Sequence, residues 1–461
     1  MFWIAYLVYW TLLLAVTFRV ASNWKPGSGD RRLCFAAAGL LAFYVMAIFG
    51  LSGHLEPWQR LFLGSIGLLQ TIKTAAVLVS RPQMDLPGVL IYMTVWPGVR
   101  AIPKNRRKPD GERLPALEEK YNRGYWTFCS GLLLTVITAL AYERLPVWIV
   151  GWLGLAALLT TIHFGYAQLL STSLRLLGFD VEPLFDEPLI SASGHDFWSR
   201  RWNLAFVQMN QLLLMPLLRG RMPVGMALLV AFVVSGLLHE IGISYAAGAG
   251  WGGPLLYFAL QGIWFLSEHH LRYHKLHPAL LRAAAWIVIL LPLPLIFTDA
   301  FRAAFIVPLF AWLHAVLTAH DLKWYIATAL WCAATGNFCT MLAGVQVPSR
   351  MNWKEEFQRL GGFNRKILTN YYCYIGLMIA AWGTLTIVLH SDMMRGERAA
   401  LWLAGLIAIF WTVRVIVDFL YFKPGDYPHG TDVVVGKALL STLFILLSLS
   451  YWALIAWHAL T

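Results

Sequence analysis

The chain has 461 residues, of which 59% are hydrophobic and 13% are charged, and its mean hydropathy is +0.61. Soluble domains usually carry roughly 25% charged and 45–50% apolar residues, so this composition excludes an ordinary soluble domain and favours a membrane protein. A net charge of +12 would suggest nucleic-acid binding in a soluble protein, whereas here it is typical of basic cytoplasmic loops.

A helix needs roughly 20 apolar residues to cross the bilayer, and stretches of this kind follow one another along most of the chain. The predicted spans lie near 2–22, 33–53, 61–80, 125–143, 146–166, 223–246, 251–267, 281–299, 301–319, 323–345, 369–390, 398–420 and 437–458. The apolar stretch 204–218 is shorter and is typical of a half-membrane or re-entrant helix. The sequence therefore predicts an all-α transmembrane helix bundle with 11–13 crossings, and the first stretch is expected to be a retained helix.

The distribution of basic residues predicts the orientation of the first half. The loop near 81–124 contains Arg100, Lys104, Arg106, Arg107, Lys108, Arg113, Lys120 and Arg123, whereas the loop near 54–60 has only Arg60. Because positive loops stay inside, the basic loop and the segment 167–203 are expected on the cytoplasmic side. The five cysteines form no CxxC pair, so structural disulfides are not expected.

One change of composition divides the chain. Residues 347–368 are polar, basic and punctuated by glycine, and apolar spans follow them. This pattern predicts an interfacial amphipathic helix and a hinge. We therefore expect a membrane domain over 1–346 and an appended helical module over 347–461.

The segment SASGHDFWSRRWN, 191–203, concentrates charged and aromatic side chains. Arginine pairs such as Arg200 and Arg201 suit phosphate, because guanidinium is planar and always charged. Asp196 would pair with Arg200, four positions later, if the segment is helical. The alternative interpretation is an ordinary interfacial belt built around Trp198 and Trp202.

A second group of polar residues interrupts the apolar run 228–248. Ser235 and His239 are four positions apart and share a helical face, and Glu240 faces about 100° away. Ionisable groups at this depth are costly and are therefore functional candidates. An imidazole can act as a general base near neutral pH, although a histidine bonded to a backbone carbonyl is the alternative. Glu240 is predicted either to serve the site or to anchor the helix at the interface.

The remaining motifs do not indicate a catalytic or metal site. SEHHLRYHKLH, 267–277, contains four histidines, but it stands alone and is interpreted as a solvated interfacial loop, so no metal site is expected. A metalloprotease motif would need a second histidine at position 243, which is Ile243.

The two polar segments together resemble the wax-synthase branch of the membrane-bound O-acyltransferase family. Its two motifs are matched, in order, by Asp196–Asn203 (DFWSRRWN) and Ser235–Glu240 (SGLLHE). Asn203 and His239 are 36 positions apart, in keeping with the layout of that family. PGVRAIP at 97–103 is similar to the loop that precedes them, and the resemblance covers about residues 85–280. It implies a helix bundle with a central cavity or tunnel.

The resemblance also implies an activity. An acyl group would pass from a cytoplasmic acyl-CoA to a hydroxyl, most simply that of a fatty alcohol, with His239 as general base and Asn203 as its partner. Asp196, Trp198, Arg200, Arg201, Trp202, Ser235 and Glu240 are the expected substrate-binding residues. Neither cofactor nor nucleic acid is implied. The alternatives are acetylation of a polysaccharide or another extracytoplasmic hydroxyl, and a transporter or flippase, which would favour internal repeats.

Overall fold

A computed structural model describes residues 2–22, 31–103, 114–273, 277–422, 426–427 and 430–461, and the side chains of residues 31, 269–273 and 431 lie outside that description. Over this part of the chain the regular secondary structure is entirely helical, with turns and loops between the helices and no strand. The principal helices are α1 (Phe2–Ser22), α2 (Arg31–Gly50), α3 (Pro57–Ser80), α4 (Leu86–Thr94), α5 (Leu114–Leu140), α6 (Val147–Leu176), α7 (Leu204–Leu218), α8 (Val224–Tyr245), α9 (Gly253–Tyr273), α10 (Pro278–Ile296), α11 (Asp299–Leu317), α12 (Leu322–Arg350), α13 (Gly362–Val388), α14 (Arg398–Leu420) and α15 (Thr431–Leu460).

Eleven helices within the described ranges are long and apolar enough to cross a membrane. Two further long helices, α5 and α9, occupy the other predicted spans, and α7 is the short apolar helix expected there. The predicted all-α transmembrane bundle is therefore confirmed. The outward faces of these helices carry large apolar side chains, as hydrocarbon solvent requires.

The chain divides into two compact units. The first comprises Met1–Arg113 and Arg123–Val316, and the second comprises Leu114–Asn122 and Leu317–Thr461. The functional boundary predicted at residue 347 stays a prediction. The expected interfacial helix at 347–368 is wrong in form: α12 runs on to Arg350, and two single-turn helices, Trp353–Glu356 and Phe357–Arg359, follow it. The left-handed backbone of Asn352 (φ 51°) prevents one continuous helix.

The second unit packs α12, α13, α14 and α15 around buried hydrogen bonds. The Asn337 amide donates to the hydroxyl of Tyr451 (3.1 Å) and accepts from the indole of Trp411 (3.2 Å). The Tyr451 hydroxyl lies 2.7 Å from that of Thr386. Each of these residues comes from a different helix, so the network joins all four, as interhelical hydrogen bonds do in membranes.

Helix α8 and helix α9 of the first unit approach closely, because glycines lie at their contact. A Cβ on Gly236 would lie 2.9 Å from Cα of Leu255, and one on Gly262 would lie 2.9 Å from Cβ of Phe232. Small residues allow helix backbones to pack directly in membranes. This contact holds α9 against α8, and α9 in turn contacts the segment 191–203.

In the described part of the first unit, six short π-helical segments interrupt the helices, and each winds more widely than the α-helix. They are Leu63–Gly67, Leu159–Tyr166, Phe197–Arg201, Asn210–Leu214, Glu240–Tyr245 and Arg302–Ile306. Such segments occur frequently at functional sites. Phe197–Arg201 contains Arg200 and Arg201, and Glu240–Tyr245 directly follows His239.

Candidate functional site

His239 lies in the last turn before the π-helical segment of α8, and its ring has a defined hydrogen bond. Nδ1 lies 2.7 Å from the backbone oxygen of Ser235. A carbonyl only accepts, so Nδ1 carries the proton and a neutral ring keeps Nε2 as an acceptor. No partner for Nε2 occurs within the described part of the chain. His239 thus makes the backbone bond that the structural alternative predicted, and the same bond leaves the ring in the tautomer that a general base requires.

Aromatic rings enclose this imidazole. The ring centroid of Phe258, on α9, lies 4.3 Å from that of His239, and the centroid of Phe206, on α7, lies 5.1 Å from it. His239 is partly buried. The imidazole is thus held between two helices in an apolar environment, which strengthens any electrostatic interaction made there.

Asn203 begins the helix that carries Phe206. Its backbone is left-handed (φ 43°, ψ 60°), and its carbonyl accepts the N–H of Phe206 at 2.9 Å. The side chain is partly buried, and its amide makes no hydrogen bond within the described ranges. Asn203 therefore lies one turn before the ring that contacts His239, with its amide uncommitted. The structure thus brings the two motifs to neighbouring positions.

The two other polar residues of the SGLLHE motif make hydrogen bonds within the fold, whereas Oε2 of Glu240 is buried with no partner among the described residues. The hydroxyl of Ser235 donates to the carbonyl of Ala231 (2.9 Å), within its own helix. Glu240 is buried, and its Oε1 accepts the N–H groups of Gly252 (2.9 Å) and Leu255 (3.0 Å). The carboxylate therefore caps the first turn of α9, where the helix dipole favours negative charge. The prediction that Glu240 anchors α8 at the interface is wrong, because those free N–H groups hold the carboxylate inside the protein.

The DFWSRRWN segment folds around a π-helical turn, and this changes the predicted ion pair. In Phe197–Arg201 the winding brings position i+5 over position i, and the N–H of Trp202 bonds to the carbonyl of Phe197 at 2.8 Å. Nε of Arg201 accordingly lies 2.8 Å from Oδ2 of Asp196. The predicted pairing of Asp196 with Arg200 is therefore wrong, since it assumed α-helical spacing.

Charges around Asp196 determine its ionisation. Burial acts to raise the pKa of this carboxyl group, but the N–H of Ala192, the hydrogen bond and charge of Arg201 and the charge of Arg200 together hold the pKa below its ordinary value. Asp196 is thus an ionised anchor of the loop. Arg201 also donates to the carbonyl of Asp186 at 3.1 Å.

The two neighbouring arginines differ in their commitments. Arg201 is partly buried and bonded twice, whereas Arg200 is exposed and makes neither a hydrogen bond nor an ion pair to any described residue. Among the two, Arg200 therefore has a guanidinium available for an anion.

One face of helix α9 contacts the segment 191–203. The indole N–H of Trp198 donates to Oε1 of Gln261 (3.1 Å), and the ring of His195 stacks on that of Phe265 (4.8 Å). The N–H of His195 donates to Oε2 of Glu268 at 2.8 Å. Trp202 instead stacks on Phe197 at 5.1 Å. These contacts recur every three or four residues along α9, which is the spacing of one helix face.

A second buried glutamine connects the PGVRAIP segment to α7. Oε1 of Gln208 accepts the N–H groups of Val99 (3.0 Å) and Arg100 (2.9 Å), and Nε2 donates to Glu182 (3.0 Å). Lys73, fully buried on α3, donates to the carbonyls of Tyr92 and Trp96 ahead of this segment. The PGVRAIP segment is therefore hydrogen-bonded to α7, the helix that directly follows Asn203.

The sequence analysis did not single out Gln208, Gln261, Glu268 or Lys73. The signal was available, because each is a buried polar residue in or beside an apolar stretch, and such residues are functional candidates. Lys104, Arg106, Arg107, Lys108, Arg113 and His274 lie outside the described residues, as do the side chains of His269 and His270. The described ranges contain no group of three potential metal ligands.

Comparison with known proteins now complements this geometry. Residues 181–260 match the family model described as the membrane bound O-acyl transferase family. The chain is 38% identical over 96 residues to the long-chain-alcohol O-fatty-acyltransferase of Simmondsia chinensis, which covers 19% of this chain and 27% of that protein. It is 35% identical over 115 residues to the probable long-chain-alcohol O-fatty-acyltransferase 7 of Arabidopsis thaliana, covering 22% and 34%.

A longer match is found to the probable long-chain-alcohol O-fatty-acyltransferase 1 of Arabidopsis thaliana, with 29% identity over 248 residues, 51% of this chain and 70% of that protein. The chain thus spans about a quarter to a third of the first two relatives and more of the third. The family match contains Asp196–Asn203 and Ser235–Glu240, the two motifs that carry the resemblance. The segment that carries both motifs is therefore similar to the membrane bound O-acyl transferase family and to proteins named long-chain-alcohol O-fatty-acyltransferases, as the resemblance predicted.

Proposed function

We propose that this protein transfers a fatty acyl group from acyl-CoA to a long-chain alcohol, with His239 as the general base. The observation that carries the proposal is the bond between Nδ1 of His239 and the Ser235 carbonyl, because it leaves Nε2 as a proton acceptor. The similarity to proteins named long-chain-alcohol O-fatty-acyltransferases supports both the reaction and the acceptor.

The proposed reaction needs two substrates and one proton relay. Nε2 of His239 accepts the hydroxyl proton of the alcohol as its oxygen attacks the thioester carbonyl. The C–S bond then breaks, an ester forms, and the protonated imidazole returns the proton to the sulfur of CoA. The aromatic rings around His239 exclude water, which would otherwise compete with the alcohol.

The surroundings of His239 favour an acceptor with a single hydroxyl. Phe206 and Phe258 pack against the imidazole, the Ser235 hydroxyl is bonded to Ala231 and the Trp198 indole to Gln261. Few polar groups remain for a substrate in the described part of the chain, the Asn203 amide and Oε2 of Glu240 among them. A sugar would bring several hydroxyls that need partners, and burying them unpaired is costly. An apolar alcohol brings one, which supports a lipid acceptor over a polysaccharide.

The function is tested directly with the purified full-length chain in lipid nanodiscs. Labelled palmitoyl-CoA is incubated with a long-chain alcohol, glycerol or a soluble oligosaccharide, and the products are separated and identified by mass spectrometry. We expect wax ester from the long-chain alcohol and much less product from the polar acceptors. Ester formation with the oligosaccharide alone would support the polysaccharide alternative, and movement of lipid without any ester would support a transporter.

Arg200 is the proposed contact for the phosphates of CoA, on the expected cytoplasmic side. Arg200→Gln should raise the KM for acyl-CoA roughly 10-fold, the scale of one charge-assisted hydrogen bond, and change kcat little. Arg201→Gln should instead lower the melting temperature, because Asp196 loses its partly buried ion-pair partner. Initial rates at varied acyl-CoA and thermal melting of both variants check the contrast. An unchanged KM in Arg200→Gln would remove this residue from the donor site.

A further inference from the structure

A buried glutamine on α9 holds one wall of the site. Gln261 is fully buried, and both ends of its amide are paired: Oε1 accepts from the indole of Trp198 (3.1 Å) and Nε2 donates to the carbonyl of Val288 on α10 (2.7 Å). It lies just beyond the residues that match the family model, which end at 260.

Burial of the Gln261 amide is unfavourable unless hydrogen bonds replace those it makes to water, and its two partners provide them. Moving an unpaired amide or indole N–H out of water is unfavourable, because the bonds to water are lost without replacement. Either side chain alone would therefore be unfavourable at this depth. Together they fix one orientation of the Trp198 ring, because the N–H has a single direction.

The orientation of Trp198 matters to His239 through one intervening ring. Trp198 lies 5.6 Å from Phe258 and 5.8 Å from Phe232, between ring centroids, and Phe258 lies 4.3 Å from His239. Gln261 is three residues after Phe258, on the same face of α9. The amide, the indole, the phenyl ring and the imidazole thus form one contiguous set of contacts.

We propose that Gln261 is a positioning residue for acyl transfer, which orients Trp198 as a wall of the apolar site and so keeps Phe258 against His239. This inference rests on the proposed function. Gln261 touches neither substrate, so its loss should lower kcat and leave the KM for acyl-CoA nearly unchanged.

The test is a double-mutant cycle on the full-length protein in nanodiscs. Gln261→Met keeps the length of the side chain but leaves the Trp198 N–H without an acceptor, and we expect kcat to fall roughly 10-fold. Trp198→Phe keeps an aromatic ring without the N–H. Because Gln261→Met also removes the donor to the Val288 carbonyl, the double variant should be slower than Trp198→Phe alone. Its fold-loss of kcat should nevertheless be smaller than the product of the two single losses, because the Trp198–Gln261 bond is lost only once.

Gln211→Met is the matched control, since Gln211 is exposed on α7, and this variant should keep the wild-type kcat. Melting temperatures of all variants accompany the kinetics and should follow the same cycle. Additive losses of kcat, or an unchanged kcat in Gln261→Met, would overturn the positioning role while leaving the proposed function intact. A wild-type protein that forms no ester would overturn both, and the melting temperatures would then report on the Gln261–Trp198 pair alone.

Discussion

His239→Ala should abolish ester formation, with a fall in kcat of at least about 1,000-fold. General-base catalysis by a positioned side chain typically contributes roughly 10²–10⁴-fold, and alanine provides no acceptor for the hydroxyl proton. The fold should persist. The one hydrogen bond of the ring found within the described ranges is to Ser235 of its own helix, so no interhelical bond is lost. The measurement is single-turnover and steady-state ester formation by the purified variant.

His314→Ala is the control for the histidine change itself. Nδ1 of His314 also lies close to a backbone carbonyl, that of Ala139 at 2.9 Å, and the residue is partly buried in the same unit. It lies on α11 and contacts Ala139, Tyr142 and Glu143, none of which belongs to either motif, so its variant should keep normal turnover. If purified His239→Ala retained full activity, the general-base assignment would be wrong, although the similarity of residues 181–260 to the family would be unaffected.

The large features of this fold could be read from the sequence because they depend on simple physics. Each crossing requires a stretch of apolar residues, and the predicted spans coincide with the helices to within a few residues at most ends. The predicted start of α5 lies further inside its helix, which begins at Leu114 with a polar stretch. A hydropathy pattern cannot show where a helix continues beyond the hydrocarbon.

The pairings within the site could not be predicted in the same way. The partner of Asp196 depends on the π-helical turn at Phe197–Arg201, and an expectation based on 3.6 residues per turn selects Arg200 instead of Arg201. Glu240 caps α9 because α8 and α9 meet closely at Gly236, and a contact between residues 12 or 15 positions apart has no periodic signature. The motifs indicated which residues meet, and only the folded chain shows what each one bonds to.

Replacement of Asn203 requires attention to its backbone. Its φ of 43° lies in the left-handed region, which asparagine tolerates, glycine adopts freely and alanine adopts at a cost of about 1–2 kcal/mol. Asn203→Gly therefore removes the amide without backbone strain, whereas Asn203→Ala combines both effects. A fall in activity of the glycine variant reports on the side chain alone.

We expect Asn203→Gly to lower kcat roughly 100-fold and to leave the KM for acyl-CoA nearly unchanged. An amide that donates to the developing oxyanion of the thioester is worth roughly 3–4 kcal/mol in the transition state, and water would replace part of that. Asn203→Ala should show the same loss of kcat and, in addition, a lower melting temperature. Initial rates at varied acyl-CoA and thermal melting of both variants separate these effects.

Asn352→Gly provides the matched control, because Asn352 is also left-handed (φ 51°) but belongs to the second unit and is exposed. This variant should keep normal kinetics, since it changes the same residue type and backbone without touching the site. Equal losses of acyl-CoA binding and turnover in Asn203→Gly would instead make Asn203 a substrate-binding residue. The uncommitted amide one turn before Phe206 favours the first outcome, because its stabilising interaction would form only as the oxyanion develops.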